Sequence, residues 1–320
     1  LPLPFCLVDD DHAQDRLVLV PAYWWTHNLY ALMRNEAKFK ARDNRVRKDL
    51  LLEFSPFAPD TAEECVAAIG LIEEWTGAAM ARAEGLDLAS MDASERRSRG
   101  KRALSDPRSA IPAEVEAEGI ENSSRSVVVI KPARAWKGYR ELLLWYSMAV
   151  LIERGGGDFP TLSGEWGGAR REEGWDNLGG QLAPLPKIEA VLEAASEGGI
   201  PTWNEMHREY VRLAGEYPAD KARHAWGVIA WLNDKEPSGL DIGELRRAAE
   251  AFKRLSLRIE EDVYRSRKKD HDNRFRRATF RSQAEMDAVV GKPERNPFIL
   301  KTKMDMAILR EKASTFLASL

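Results

Sequence analysis

Cysteine is almost absent from this chain. Cys6 and Cys65 are the only two in 320 residues, far apart and in no CxxC spacing, which excludes a disulfide scaffold or a cysteine-ligated zinc site and makes reduced thiols the expectation. Long apolar runs are missing too. No stretch approaches the roughly 20 residues that span a bilayer, and the N-terminus lacks the basic and apolar regions of a secretory signal. GxGxxG, GxxxxGK, GxSxG and HExxH do not occur, which removes the best-marked nucleotide, hydrolase and metalloprotease classes and leaves no cofactor to name. A general excess of one charge is also lacking, since the formal net charge is −3. Wrapping of nucleic acid normally needs a broad basic surface and is not expected. These absences together point to a cytoplasmic protein with no membrane partner.

What is present is a core-forming composition, 44% hydrophobic, arranged mostly at helical spacing. The expected fold class is mainly α: an irregular multi-helix bundle with long loops and at most a few short strands. The densest chemistry lies in Pro21 to Lys48, PAYWWTHNLYALMRNEAKFKARDNRVRK. Pro21 suits the first position of a helix, because proline has no amide proton to lose there, and the pattern predicts one helix to about Arg45. At 100° per residue Trp25, Leu29, Leu32 and Phe39 share one face, with His27, Arg34, Lys38 and Arg45 opposite. Like charges stacked on one stripe repel by a few tenths of a kcal/mol per close pair. A phosphate, a carboxylate ligand or acidic side chains of another helix would offset them. The candidate ligand-binding residues are therefore His27, Arg34, Lys38 and Arg45, with Asn35 and Arg42 at the rim.

Further along, Asp60 and Glu63 have the spacing of a capping box, ahead of a helix with Ala62, Val66, Ile69 and Ile72 inward. Residues 82–126 are rich in Ser, Arg, Glu, Gly and Pro and read as a mobile excursion. Val127 to Ile130 is the best strand candidate; it must pair with the N-terminal segment, with a part of the chain not given, or not at all. Glu141 to Ile152 is apolar almost all round and belongs at the centre of a bundle. The glycine-rich loop 155–181 is expected to lack regular structure, with Trp175 to Gln181 able to present backbone amides to an anion. Helices are expected over Pro184–Glu197, Trp203–Ala214 behind a Thr202/Glu205 capping box, Ala219–Leu232, Ile242 to beyond Val263, and Met304–Leu320.

Other clusters have plain readings beside functional ones. Asp9, Asp10, Asp11 and His12 cannot all face one ion from an extended chain, because alternate side chains point opposite ways. His207 and His224 fall on neighbouring predicted helices and could approach. Asp272 to Arg277 echoes Asp43 to Lys48, so that two basic turns could converge on one anion.

The stretches PAYWWTHNLYALMRN, ARDNR, EFSPFAPDTAEE, WDNLGGQL, SRKKDHDNRF and EMDAVVGKPERNPFI together resemble the C-terminal helical region of large uncharacterised bacterial proteins. The N-terminal half of those proteins looks like a left-handed β-helix of the sugar-nucleotidyltransferase and acyltransferase kind. The resemblance covers essentially the whole chain and implies a single helical domain, 1–320, cut from a longer chain that starts before Leu1. It also implies an N-terminal β-helical domain as intramolecular partner, and offers no catalytic residue to carry over. On this footing the expected function is an accessory domain that binds a phosphorylated sugar or nucleotide-linked metabolite through the basic face. The alternative is a structural module, possible as a homo-oligomer, with no ligand of its own.

Overall fold

Apolar residues at three- and four-residue spacing build helices throughout the computed structural model, which describes residues 1–46, 48, 51–120, 125–168 and 170–320. In chain order the helices are α1 (Tyr23–Thr26), α2 (Leu29–Ala41), α3 (Pro59–Ala83), α4 (Ala93–Ser105), α5 (Pro132–Arg154) and α6 (Phe159–Trp166). They continue with α7 (Leu185–Ser196), α8 (Trp203–Leu232), α9 (Ile242–His271), α10 (Arg274–Arg277), α11 (Gln283–Val290) and α12 (Pro297–Ser319). The strands are β1 (Leu7–Asp11), β2 (Arg16–Val20), β3 (Glu114–Glu116), β4 (Ser126–Ile130), β5 (Trp175–Leu178) and β6 (Gln181–Pro184). The protein is thus mainly α with short strands, as the periodicity predicts. None of the described helices is long and apolar enough to cross a membrane.

The chain divides into two compact units. The first comprises Leu1–Leu29 and Glu64–Leu142. Its sheet has the order β1-β2-β4-β3, with β2 antiparallel to β1 and parallel to β4. The valine-rich strand therefore pairs with the N-terminal segment, the first of the three options, and on its other side with β3, antiparallel. Val127, Val128 and Val129 are all buried, a continuous apolar run that suits an inner strand covered on both faces. The Tyr139 hydroxyl donates to Pro4 O at 2.6 Å and accepts from the Ala22 amide at 3.2 Å.

Part of the supposed excursion 82–126 is regular structure in this unit. Asp92 caps α4 by accepting from the Glu95 amide, and Gly100 of α4 lies against Gly77 of α3. A Cβ on Gly77 would stand 1.8 Å from Arg96 O, and one on Gly100 would stand 1.8 Å from Glu73 O. The two backbones touch, which explains how a helix of such polar composition docks at all. Residues 121–124 of that stretch lie outside the described residues.

The second unit comprises Tyr30–Glu63 and Leu143–Leu320. Leu245, Ala249, Phe252, Leu255, Ile259 and Val263 of α9 are buried in the expected pattern. Glu260 pairs with Arg310 and Tyr264 with Glu294, so α12 runs back along α9. The Thr202/Glu205 capping box forms. Three expectations are corrected. Trp203–Ala214 and Ala219–Leu232 are one helix, α8, with Pro218 inside it; the proline forfeits one backbone bond, and the residues on both sides of it remain helical. Asp60 lies inside the first turn of α3 instead of capping it, and Glu63 is committed to other partners. The glycine-rich stretch contains a hairpin, β5-β6, because Gly179 and Gly180 take φ of 67° and 104°, the pair of left-handed residues that a two-residue turn requires.

Alanine at Gly77 or Gly100 is expected to lower the unfolding free energy by about 2–3 kcal/mol through overpacking, although alanine favours helix by about 1 kcal/mol. Gly164→Ala, in α6 with nothing within 4 Å of the new methyl, is the control and should be neutral or stabilising. Urea denaturation of the three variants checks this.

Candidate ligand-binding cleft

Helix α2 presents two different faces. Arg34, Lys38 and Arg42 follow each other at four-residue spacing and are exposed, as is Asn35. Arg34 lies 5.8 Å from the Tyr30 ring, with Arg267 over the same ring at 5.4 Å, and neither Lys38 nor Arg42 has an ion pair among the described residues. Arg45 folds back on Asp43 at 2.9 Å and holds that carboxyl down at about 2. The single helix expected over Pro21–Arg45 breaks after Thr26, and His27 belongs to the first unit, where it stacks on Tyr23 at 5.0 Å. The basic stripe is solvated. Arg47 of the first basic turn is outside the described residues; in the second turn Arg276 pairs with Asp270.

The opposite face of α2, carrying Met33, Glu36 and Lys40, lines a cleft of about 570 Å³ inside the second unit. The spacing of three and four puts these side chains on one stripe. Helix α5 supplies Trp145, Tyr146, Ala149, Val150 and Glu153 at the same periodicity. Leu52 to Ser55 and Phe57 form another wall, and α8 and α12 close it with Lys221, Asp305, Met306, Ile308 and Leu309. Volume and mixed lining suit a small molecule.

Polar groups here are organised in two sets. In the first, Glu53 Oε2 accepts from Lys221 Nζ at 2.5 Å and from the Tyr217 hydroxyl at 2.6 Å. The Ser55 amide donates to its other oxygen at 3.0 Å. Burial pulls the Glu53 carboxyl upward, but the Lys221 charge and these hydrogen bonds outweigh it and leave it below its ordinary value. Glu36 shows the reverse. Burial raises it above the usual 4.5, a hydrogen bond with Ser55 opposes the shift, and the negative charge of Glu53 adds to it. Two neighbouring carboxyls are thus shifted in opposite directions by their surroundings.

The second set begins at the cleft lining. The Tyr146 hydroxyl meets His224 Nδ1 at 2.8 Å, and His224 Nε2 meets Glu63 Oε1 at 2.9 Å. Arg171 closes the chain on Glu63. Burial lowers the His224 pKa, with Glu63 pulling the other way. A neutral imidazole here donates from Nε2 to the carboxylate and accepts from the tyrosine at Nδ1. His207, far along the same helix α8, does not approach it: 17 residues of helix are about 25 Å.

Other sequence candidates resolve into ordinary structure. Asp11 pairs with Arg16, and Asp10 with Arg125; no group of described residues could hold a metal ion. Some of the backbone amides expected to greet an anion at Trp175–Gln181 have local acceptors, Asn177 N donating to Asp176 Oδ1 at 2.7 Å. Gly180 N donates to Asn177 Oδ1 at 2.5 Å, and Gln181 Nε2 to Tyr210 O at 2.9 Å.

The Glu36 shift has a sign that can be measured. Its folded pKa exceeds the unfolded value, so its contribution to stability is complete below about 4.5 and is lost as pH rises through the folded value. Glu36→Gln is expected to melt higher than the wild type at pH 8 and equally at pH 4. A melting difference independent of pH would show an ordinary surface glutamate.

The chain is 34% identical over 311 residues to an uncharacterized protein of Treponema pallidum (strain Nichols). The similarity covers 97% of this chain, and the chain spans 41% of the length of that relative. No family model and no solved structure matches the chain. The expected kinship with β-helical nucleotidyltransferase-like proteins, and with it the β-helical partner domain, is corrected by this result: the relative found is uncharacterised, and the match brings no β-helical domain with it.

Proposed function

We propose that the cleft of the second unit binds a small molecule with an apolar body and a primary ammonium group. One observation carries this reading: the cleft sets four carboxyl groups, Glu36, Glu53, Glu153 and Asp305, against two lysines, Lys40 and Lys221, and Lys221 is already spent on Glu53. Asp305 is held by Lys301 at 2.5 Å. Of the remaining two, the half-buried Glu36 gains more from an incoming cation than the exposed Glu153. An ammonium beside it would favour the ionised form that burial disfavours. Trp145, Phe54 and Met33 supply apolar wall for the rest of the ligand.

The anion reading keeps one physical support, the exposed stripe of Arg34, Lys38 and Arg42 without an ion pair among the described residues. Its ligand would be bound at the surface, away from the carboxylates. A single panel separates the two. In calorimetry at low salt, alkyl and aryl amines should bind the wild type. Glu36→Gln should weaken them at least tenfold, whereas Arg34→Glu should have no effect. Binding of sugar phosphates or nucleotides that Arg34→Glu abolishes, with no response to amines, would replace this reading by the anion one.

A further inference from the structure

The outer side of α12 is apolar where a surface helix is normally polar. Leu300, Met304 and Ile308 are 48%, 67% and 50% exposed and recur every four residues, a strip about 12 Å long. It joins two concavities. At one end Ile308, with Leu309 beside it, lies in the wall of the cleft. At the other, Leu300 enters a groove of about 350 Å³ between α12 and α9, where Leu257 is 55% exposed and Tyr264 and Ile299 complete the apolar lining.

The carboxylates around that groove already have partners: Glu260 has Arg310 at 3.1 Å, Glu261 has Arg265, and Glu294 accepts from the Tyr264 hydroxyl at 2.6 Å. What remains open to a ligand there is hydrocarbon surface, with the exposed Lys303 ammonium beside it. An exposed apolar strip that runs from an acidic cleft into a second apolar groove is complementary to one shape of molecule, a charged head with a long unbranched tail. Contiguous apolar surface of this kind marks an interaction site more often than chance exposure.

We infer that the ligand of the cleft is a long-chain amphiphile, its ammonium head at Glu36 and its alkyl chain laid over Ile308, Met304 and Leu300 into the groove at Leu257. This rests on the amine reading and extends it to the whole ligand. A short amine occupies the cleft alone, while each further methylene covers another part of the strip.

Calorimetry with n-alkylamines from butylamine to dodecylamine, below their micelle concentrations, tests the inference. Affinity should rise about fourfold per methylene, the equivalent of about 0.8 kcal/mol per buried CH₂, until the strip is covered, and then level off. Met304→Glu and Leu300→Glu change exposed side chains and should leave folding and butylamine binding intact while flattening the rise with chain length. Butylamine binding with no dependence on chain length, or an undiminished rise in both variants, overturns the tail assignment and leaves the cleft reading standing. Dodecylamine binding unaffected by Glu36→Gln overturns the placement of the head. Failure of every amine, short and long, overturns both.

Discussion

A carboxylate taken out of water must be paired or it will not stay ionised, and the cleft depends on how Glu53 meets that demand. It gathers an ammonium, a phenol and a backbone amide from Lys221, Tyr217 and Ser55, while its own amide donates to Gly180 O at 2.8 Å. These bonds fasten the irregular segment after α2 to α8 on one side and to the β5-β6 turn on the other. They also fix the electrostatics of the site. With Glu53 held ionised, its neighbour Glu36 must ionise against burial first and a like charge besides, and its pKa is raised. The anchoring that positions the segment thus also contributes to the Glu36 shift.

The same reasoning explains why α2 carries unlike faces. Arg34, Lys38 and Arg42 are stable in water without partners, since solvent screens exposed like charges well. Glu36 shares the helix with them but lies on the stripe that faces protein, and there screening is weak. Charge density along the chain marks the solvated side of this helix, and the cleft lies on the other. On α12 the mismatch is of the opposite kind: apolar groups face solvent in a line that leads out of the cleft.

Local patterns made much of the fold legible. The spacing in α9, the Thr202/Glu205 box and the all-round apolar character of the middle of α5 each depend on residues within one element, and each was readable. The break between α1 and α2, the docking of α4 through Gly77 and Gly100, and the passage of α8 through Pro218 were not, because long-range packing decides them. The cleft was illegible for the same reason. Glu53 and Lys221 are 168 residues apart, Glu63 and His224 are 161 apart, and at sequence level each reads as a surface charge or an isolated histidine. Glu63 even had a local role available as a capping residue, which the buried imidazole overrides.

The central claim is that Glu36 and Glu53 are pushed apart by their surroundings. Carbon-detected NMR titration of the side-chain carboxyls tests it most directly, with Glu36→Gln and Glu53→Gln used to assign the two resonances. The account predicts that Glu36 titrates above the ordinary value of 4.5 and Glu53 below it. Midpoints that both fall at the ordinary value, or that stand in the reverse order, would contradict it.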